Sequence, residues 1–170
     1  MNIFKSLKFA LNGILYVIKN ERNMRFHMVV SVYVFVFSLF FSMNIWKYII
    51  LILVISSIII LEMLNSSLEN LIDLCSKEYN TSAKIAKDIA AGAVLIMCFA
   101  SVIIGLIFFT ELEAYVKIWF FICKYPVIII PFVLFSYACY EYIFLGPTEI
   151  KNKFKKIMYK FKNKTSENIK

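Results

Sequence analysis

The chain has 170 residues, of which 61% are hydrophobic, 17% aromatic and only 18% charged. Soluble domains average about 45–50% apolar and about 25% charged residues, so this composition excludes a disordered chain and argues against a soluble globular enzyme. The net charge of +8 reports, in a membrane protein, which loops face the cytoplasm before it reports a partner; nothing in it calls for nucleic acid.

The N-terminus reads as an amphipathic helix over residues 3–20. Phe4, Leu7, Leu11, Ile14, Leu15 and Ile18 share one face, and Lys5, Lys8, Asn12 and Lys19 the other, the pattern of a helix lying in a membrane surface. A signal peptide is the competing interpretation, but Asn12 and Gly13 interrupt its apolar core and no small-x-small site follows. No proline precedes Pro126, so the first 125 residues are free to be almost wholly helical. A spanning helix needs about 20 largely apolar residues. Three such segments follow, at about 24–43, 46–75 and 83–109, the second continuing as a polar helix after YIILILVISSIIIL. A further helix, from about Ile118 to Leu145 within residues 111–150, is long enough to span but carries Lys124, Pro126, Pro131 and Glu141. The residues after Ile150 form a basic tail, KNKFKKIMYKFKNK at its heart, suited to an anionic lipid surface.

Four crossings with the N-terminus inside place sixteen of the nineteen Lys and Arg residues on the cytoplasmic side, in line with the positive-inside rule. Three crossings would put the lysine-rich tail outside. Cys75, Cys98, Cys123 and Cys139 show no CxxC spacing and no clustering with His27, the only histidine; they read as packing residues.

Residues 61–95 hold the groups least suited to a bilayer. Glu62, Asn65, Glu69 and Asp73 are spaced 3, 4 and 4 apart, which puts them within an arc of about 80° on one helix face. An acidic group at the centre of a membrane helix costs on the order of 2.5–3.5 kcal/mol on insertion scales, and such groups face a partner or a wet cavity. On the next helix Lys84, Lys87, Asp88 and Ala91 share a face, and Glu21 stands beside Arg22 and Arg25 before the first span. Solvated helix ends with structural ion pairs would account for Asp73, Lys77 and Glu78, but less well for Glu62, which follows ISSIIIL directly.

Like carboxylates on one face repel unless a cation lies between them, and Mg²⁺ is often held by one or two carboxylates plus substrate phosphates. Glu21 and Glu69 could supply those oxygens. Glu62, nearest the lipid, fits a base that takes a proton from an alcohol, and Lys87 could stabilise phosphate charge. The spacing alone suggests a membrane acid–metal site and does not identify ATP; GxxxxGK[ST], a kinase glycine loop and DFG are all absent from the sequence.

ExxNSSLExxxD from Glu62 to Asp73, EY at Glu78–Tyr79, KxAKDxAAGAVL from Lys84 to Leu95 and NERNMRFH from Asn20 to His27 resemble the prokaryotic diacylglycerol kinase and undecaprenol kinase family. The resemblance covers about residues 3–110. It implies a homotrimer of three-span subunits with an N-terminal surface helix, in the bacterial cell membrane, with sites between subunits at the cytoplasmic face. It also implies transfer of the ATP γ-phosphate, with Mg²⁺, to a lipid alcohol. By the family pattern Glu62 corresponds to the general base, with Asn65 beside it. Glu21 and Glu69 correspond to the metal carboxylates, Lys87 and Asp88 to nucleotide contacts, Glu78 and Tyr79 to a loop touching nucleotide, and Ala91 to a position near the lipid.

NERNMRFH and AKDIAAGAVL look more like the undecaprenol kinase branch. Asn80 stands where the family often has His, NSSLE replaces the commoner NTAIE, and everything after about Thr110, the fourth helix and basic tail, lies outside the basic family unit. The expected activity is therefore an undecaprenol kinase, with diacylglycerol as the alternative acceptor. A small cation- or proton-coupled transporter using Glu62 and Glu69, or an inactive scaffold, are the competing classes. Ala86, Ala90, Gly92 and Ala93 suit close helix contact in lipid.

Overall fold

The computed structural model describes residues 2–75 and 80–167, with side chains through Tyr159, and among these there are six α-helices, one short 3₁₀ turn and no strand. The protein is an all-α membrane protein. Helix α1 (Ile3–Asn20) buries only Val17, while Ile3, Phe4, Leu7 and Leu11 stay uncovered, as a helix resting its apolar face on a membrane requires. It ends at a one-residue corner. Glu21 takes an extended conformation (φ −96°, ψ 119°), donates its N–H to the Val17 carbonyl at 2.8 Å, and is at once the C-cap of α1 and the N-cap of α2 (Arg22–Ser38).

Sequence periodicity carries the first span to Met43, but α2 stops at Ser38. At 17 residues it sits at the short end of the spanning range. The reason is a set of contacts from far along the chain. Phe41 is 4% exposed. Its ring lies 4.9 Å from that of Phe109 and 5.4 Å from that of Tyr115, and Phe37 packs on the same group. The Ser42 N–H donates to the Glu111 carboxylate at 3.1 Å. This aromatic cluster closes the turn that returns the chain into α3 (Ile45–Cys75).

Helices α3 and α4 (Thr81–Phe108) form the most closely packed pair. At 31 residues, α3 is about 46 Å long and outruns a hydrocarbon core of about 30 Å, so its polar C-terminal half emerges from the apolar zone. Asn80 starts α4: its Oδ1 accepts the N–H groups of Ser82 and Ala83 at 2.9 and 3.3 Å. Asn80 is thus the N-cap of α4, a position for which Asn is among the best residues.

The segment expected as one kinked fourth helix is instead two. Helix α5 (Leu112–Lys124) ends before Pro126, a 3₁₀ turn covers Pro126–Ile128, and α6 (Ile129–Glu167) follows. Pro126 cannot donate to α5 and starts the turn, whereas Pro131 lies in the first turn of α6, where no N–H is needed. The basic tail is not separate from this helix: α6 continues through it to Glu167, broken at Gly146. Three helical segments are long and apolar enough to cross a membrane, Ile45–Cys75, Thr81–Phe108 and Pro126–Tyr159. Helix α2 touches α6 through the Tyr33–Ser136 hydrogen bond at 2.8 Å, and beside that contact an open cavity of about 450 Å³ lies between them, with Arg22, Phe26 and Tyr140 also on its walls.

The turn cluster accounts for the early end of α2, so its removal should be costly. Replacing a buried Phe by Ala costs about 3–5 kcal/mol. Phe41→Ala is expected to lower stability by about 3 kcal/mol in reversible detergent unfolding. Phe40→Ala, which alters an exposed ring, should cost less than half as much.

Candidate active site

The polar half of α3 carries the site. The Glu62 side chain is buried, with 2% of the residue exposed, in a helix whose other face is Ile, Leu and Val. One turn on, Asn65 is 7% exposed, and Ser66 is fully buried. Ser66 Oγ donates to the Glu62 carbonyl at 2.9 Å, which lets a hydroxyl sit inside the helix packing without an unpaired group. Asn70 Nδ2 donates to the Ser66 carbonyl at 2.7 Å, and Tyr16 Oη donates to Asn70 Oδ1 at 3.3 Å, tying α1 to the polar end of α3.

Asn65 Nδ2 donates to Glu69 Oε1 at 3.1 Å, so these two oxygen-bearing side chains are held together. Glu21, from the α1–α2 corner, and Glu69 both lie close enough for their charges to act on Glu62. The charges of Glu21 and Glu69 thus bear on Glu62 from two parts of the chain, and no described cation pairs with Glu62. Such an arrangement is repulsive until a positive charge enters.

Among the described residues one buried side-chain polar atom lacks a partner: Asn65 Oδ1. An orphaned buried carbonyl costs on the order of 1–3 kcal/mol. It sits on the side chain that holds Glu69, and amide and carboxylate oxygens are the hard donors that suit Mg²⁺. Among the described residues no three carboxylate, His or Cys groups approach closely enough to hold a metal by themselves. Any hard cation bound here would need further oxygen ligands from outside the described side chains.

Lys87 comes from α4 and forms an ion pair with Asp73 of α3. Both groups are substantially exposed, at 34% and 67%, and exposed pairs of this kind contribute about 0–1 kcal/mol. Lys87 is therefore held near the acidic face yet easily released. Asp88 and Ala91, on the same side of α4, are exposed. Glu78 and Tyr79 lie outside the described residues.

A model of the prokaryotic diacylglycerol kinase family matches residues 8–109. This chain belongs to that family. It is therefore of the membrane lipid kinase type, and the matched segment runs from α1 to the end of α4, leaving α5 and α6 outside. The chain is 37% identical over 106 residues to the undecaprenol kinase of Bacillus subtilis (strain 168), covering 62% of this chain and 86% of that relative. It is also 37% identical over 105 residues to a diacylglycerol kinase of Synechocystis sp., covering 61% of this chain and 60% of that relative.

Sequence reasoning grouped Glu62, Asn65, Glu69 and Asp73 on one face; along it Asn65 bonds Glu69 and Asp73 pairs with Lys87 of α4. It missed the buried Ser66, and it placed Arg25 only as a basic neighbour of Glu21. Arg25 is in fact buried. The sole signal for that was its spacing of one helical turn from Glu21. Asp73, expected as part of the acidic face, is occupied by Lys87.

The Lys87–Asp73 pair generates a clear expectation. Asp73→Asn should change stability by no more than about 1 kcal/mol in detergent unfolding. On the nucleotide role proposed for Lys87 below, it should leave ATP binding as tight or tighter in a filter or calorimetric assay, whereas Lys87→Ala should weaken that binding.

Proposed function

We propose that the protein is an integral membrane lipid kinase that transfers the γ-phosphate of ATP to undecaprenol, giving undecaprenyl phosphate. The observation that carries this reading is the buried Glu62 one turn from Asn65, whose amide holds Glu69 and whose Oδ1 is unpartnered. Family membership supports the reaction class. Undecaprenol is preferred as acceptor because the relative named undecaprenol kinase is covered over 86% of its length, against 60% for the relative named diacylglycerol kinase. The NERNMRFH and AKDIAAGAVL segments point the same way. Diacylglycerol remains the second acceptor to test.

In this mechanism Glu62 accepts the proton of the lipid hydroxyl as its oxygen attacks the γ-phosphorus. The bond from γ-phosphorus to the bridging oxygen breaks and ADP leaves. Burial among apolar side chains keeps water from competing for the phosphoryl group. Asn65 holds Glu69 through its amide and offers Oδ1 to the same space. Glu21 and Glu69 would hold Mg²⁺, which when bound neutralises phosphate charge. Lys87 leaves Asp73 to meet the phosphates, with Asp88, Glu78 and Tyr79 completing the nucleotide side. Ala91 lies toward the lipid. The site belongs at the cytoplasmic face of the cell membrane, where ATP is, with both termini on that side.

A homotrimer accounts for the features a single chain leaves unused. Gly92 sits mid-way along α4, and a Cβ built there meets nothing within 4 Å, so packing inside one chain does not explain its small size. Small residues allow close approach of helices in lipid. Gly92→Leu is expected to shift the protein to smaller species in mild-detergent light scattering while leaving its helix content unchanged.

The central test is a panel of lipid alcohols with radiolabelled ATP and purified protein. Undecaprenol should be phosphorylated with the highest kcat/KM; a preference for diacylglycerol would replace the acceptor, and no lipid phosphorylation would remove the kinase reading. Loss of a general base costs about 10²–10⁴-fold. Glu62→Gln should lower kcat by about 100-fold or more with little change in KM for ATP, and Glu69→Gln should raise the Mg²⁺ concentration needed for half-maximal rate.

A further inference from the structure

Arg25 is 5% exposed and makes no ion pair with a described carboxylate. A buried guanidinium without compensation is costly, so its hydrogen bonds define its role. Its Nη1 donates to the carbonyls of Ile18 and Lys19 at 3.2 and 3.0 Å. These belong to the last turn of α1, whose carbonyls have no helical partner. Its Nε donates to the carbonyl of Ile143 in α6 at 3.0 Å, across 118 positions of sequence. That carbonyl is free for a definite reason. Its helical donor would be residue 147, and Pro147 has no N–H.

The residue before that proline completes the fit. Gly146 has φ 72° and ψ 165°, a conformation essentially restricted to glycine. A Cβ there would stand 3.3 Å from Arg25 Cζ, 3.4 Å from Nη1 and 3.5 Å from Nη2. Gly146 therefore serves both the break in α6 and the seat of the guanidinium. The bend is braced from outside. Lys153 pairs with Glu141, which also accepts from Tyr137 Oη at 3.1 Å. Twelve positions along a straight helix span about 18 Å, so this pair forms only because the chain turns back at the break. Gly146 and Pro147 lie outside the matched family segment, which ends at residue 109.

We infer that the Gly146–Pro147 break is a positioning device for the kinase site: through Arg25 it fixes the α1–α2 corner and so sets Glu21 against Glu62 and Glu69. The link is short. Glu21 is the one extended residue between α1 and α2. Arg25 holds the carbonyls two and three residues before it from a position one helical turn after it. Removing the anchor in α6 frees the corner to swing about Glu21 while α3 and α4, which carry the other groups, keep their own packing. The inference rests on Glu21 as a metal carboxylate, and Arg25 acts only through it.

The test uses the full chain in lipid nanodiscs, with Gly146→Ala as the variant and Gly105→Ala, where a Cβ meets only ordinary contact, as the control. Amide exchange is read over residues 19–24 and, separately, over α3 and α4. Gly146→Ala should raise exchange at the corner by at least about threefold with α3 and α4 unchanged. It should also raise the Mg²⁺ requirement by about threefold or more while KM for the lipid stays within about twofold. Arg25→Lys, which keeps the charge but not the fork, should fall between wild type and Arg25→Ala on both scales. Corner exchange unaltered in Gly146→Ala overturns the inference, as does a uniform fall in kcat with the Mg²⁺ requirement unmoved. If the corner loosens but the wild-type protein phosphorylates no lipid, the anchor stands and the kinase reading falls.

Discussion

Mutual repulsion among Glu21, Glu62 and Glu69 at the edge of the apolar zone is the constraint that the rest of the molecule answers to. One carboxylate buried in a membrane helix already costs on the order of 2.5–3.5 kcal/mol, and two neighbours of the same sign add to that. Glu62 cannot move away, because it lies on a helix whose remaining surface is committed to lipid or to α4. Glu69 is held by Asn65, and Glu21 is fixed at a corner one residue long. Held in this way, the group stores a demand for positive charge that a metal-bound phosphate would meet. A fold selected for stability alone would place such residues on the outer face of α3, where water or lipid headgroups solvate them.

The same constraint gives meaning to the backbone around it. Ser66 pairs inside its own helix and Asn70 braces Ser66, so the buried side of α3 spends its polar groups on rigidity and leaves one oxygen, Asn65 Oδ1, unpaired. Polar groups that are buried and satisfied specify a geometry. An orphan among them marks where the geometry expects something else. The corner is treated in the same manner from the other side, since Arg25 satisfies three carbonyls that α1 and α6 leave open.

Most of the helical layout was legible in the sequence, because a run of apolar residues ending in ExxNSSLExxxD announces both a span and a polar extension. The shared face of Glu62, Asn65, Glu69 and Asp73 follows from a period of 3.6 alone. What periodicity could not show was set by contacts between distant residues. The end of α2 at Ser38 depends on Phe109, Tyr115 and Glu111, none of which a local pattern at residues 36–42 reveals. The split of the expected fourth helix is foreshadowed by Pro126, yet the continuation of α6 through the lysines is not, since that segment reads as a charged tail. The burial of Arg25 was hidden for the same reason: its partner is created by Pro147, and the connection exists only once the chain has folded back on itself.

Lys87 shows how the charges of the site are divided between rest and turnover. A lysine left free beside these carboxylates would be drawn to them, and a direct bond to Glu62 would block the role proposed for it as base. Asp73, one turn beyond Glu69 on the same face, takes Lys87 instead. The pair is exposed and therefore weak, so in the proposed reaction a triphosphate, richer in charge than a single carboxylate, would win the ammonium without much loss. The acidic face of α3 thus has two functions along its length: its buried end demands a cation, and its exposed end keeps the nearest one waiting.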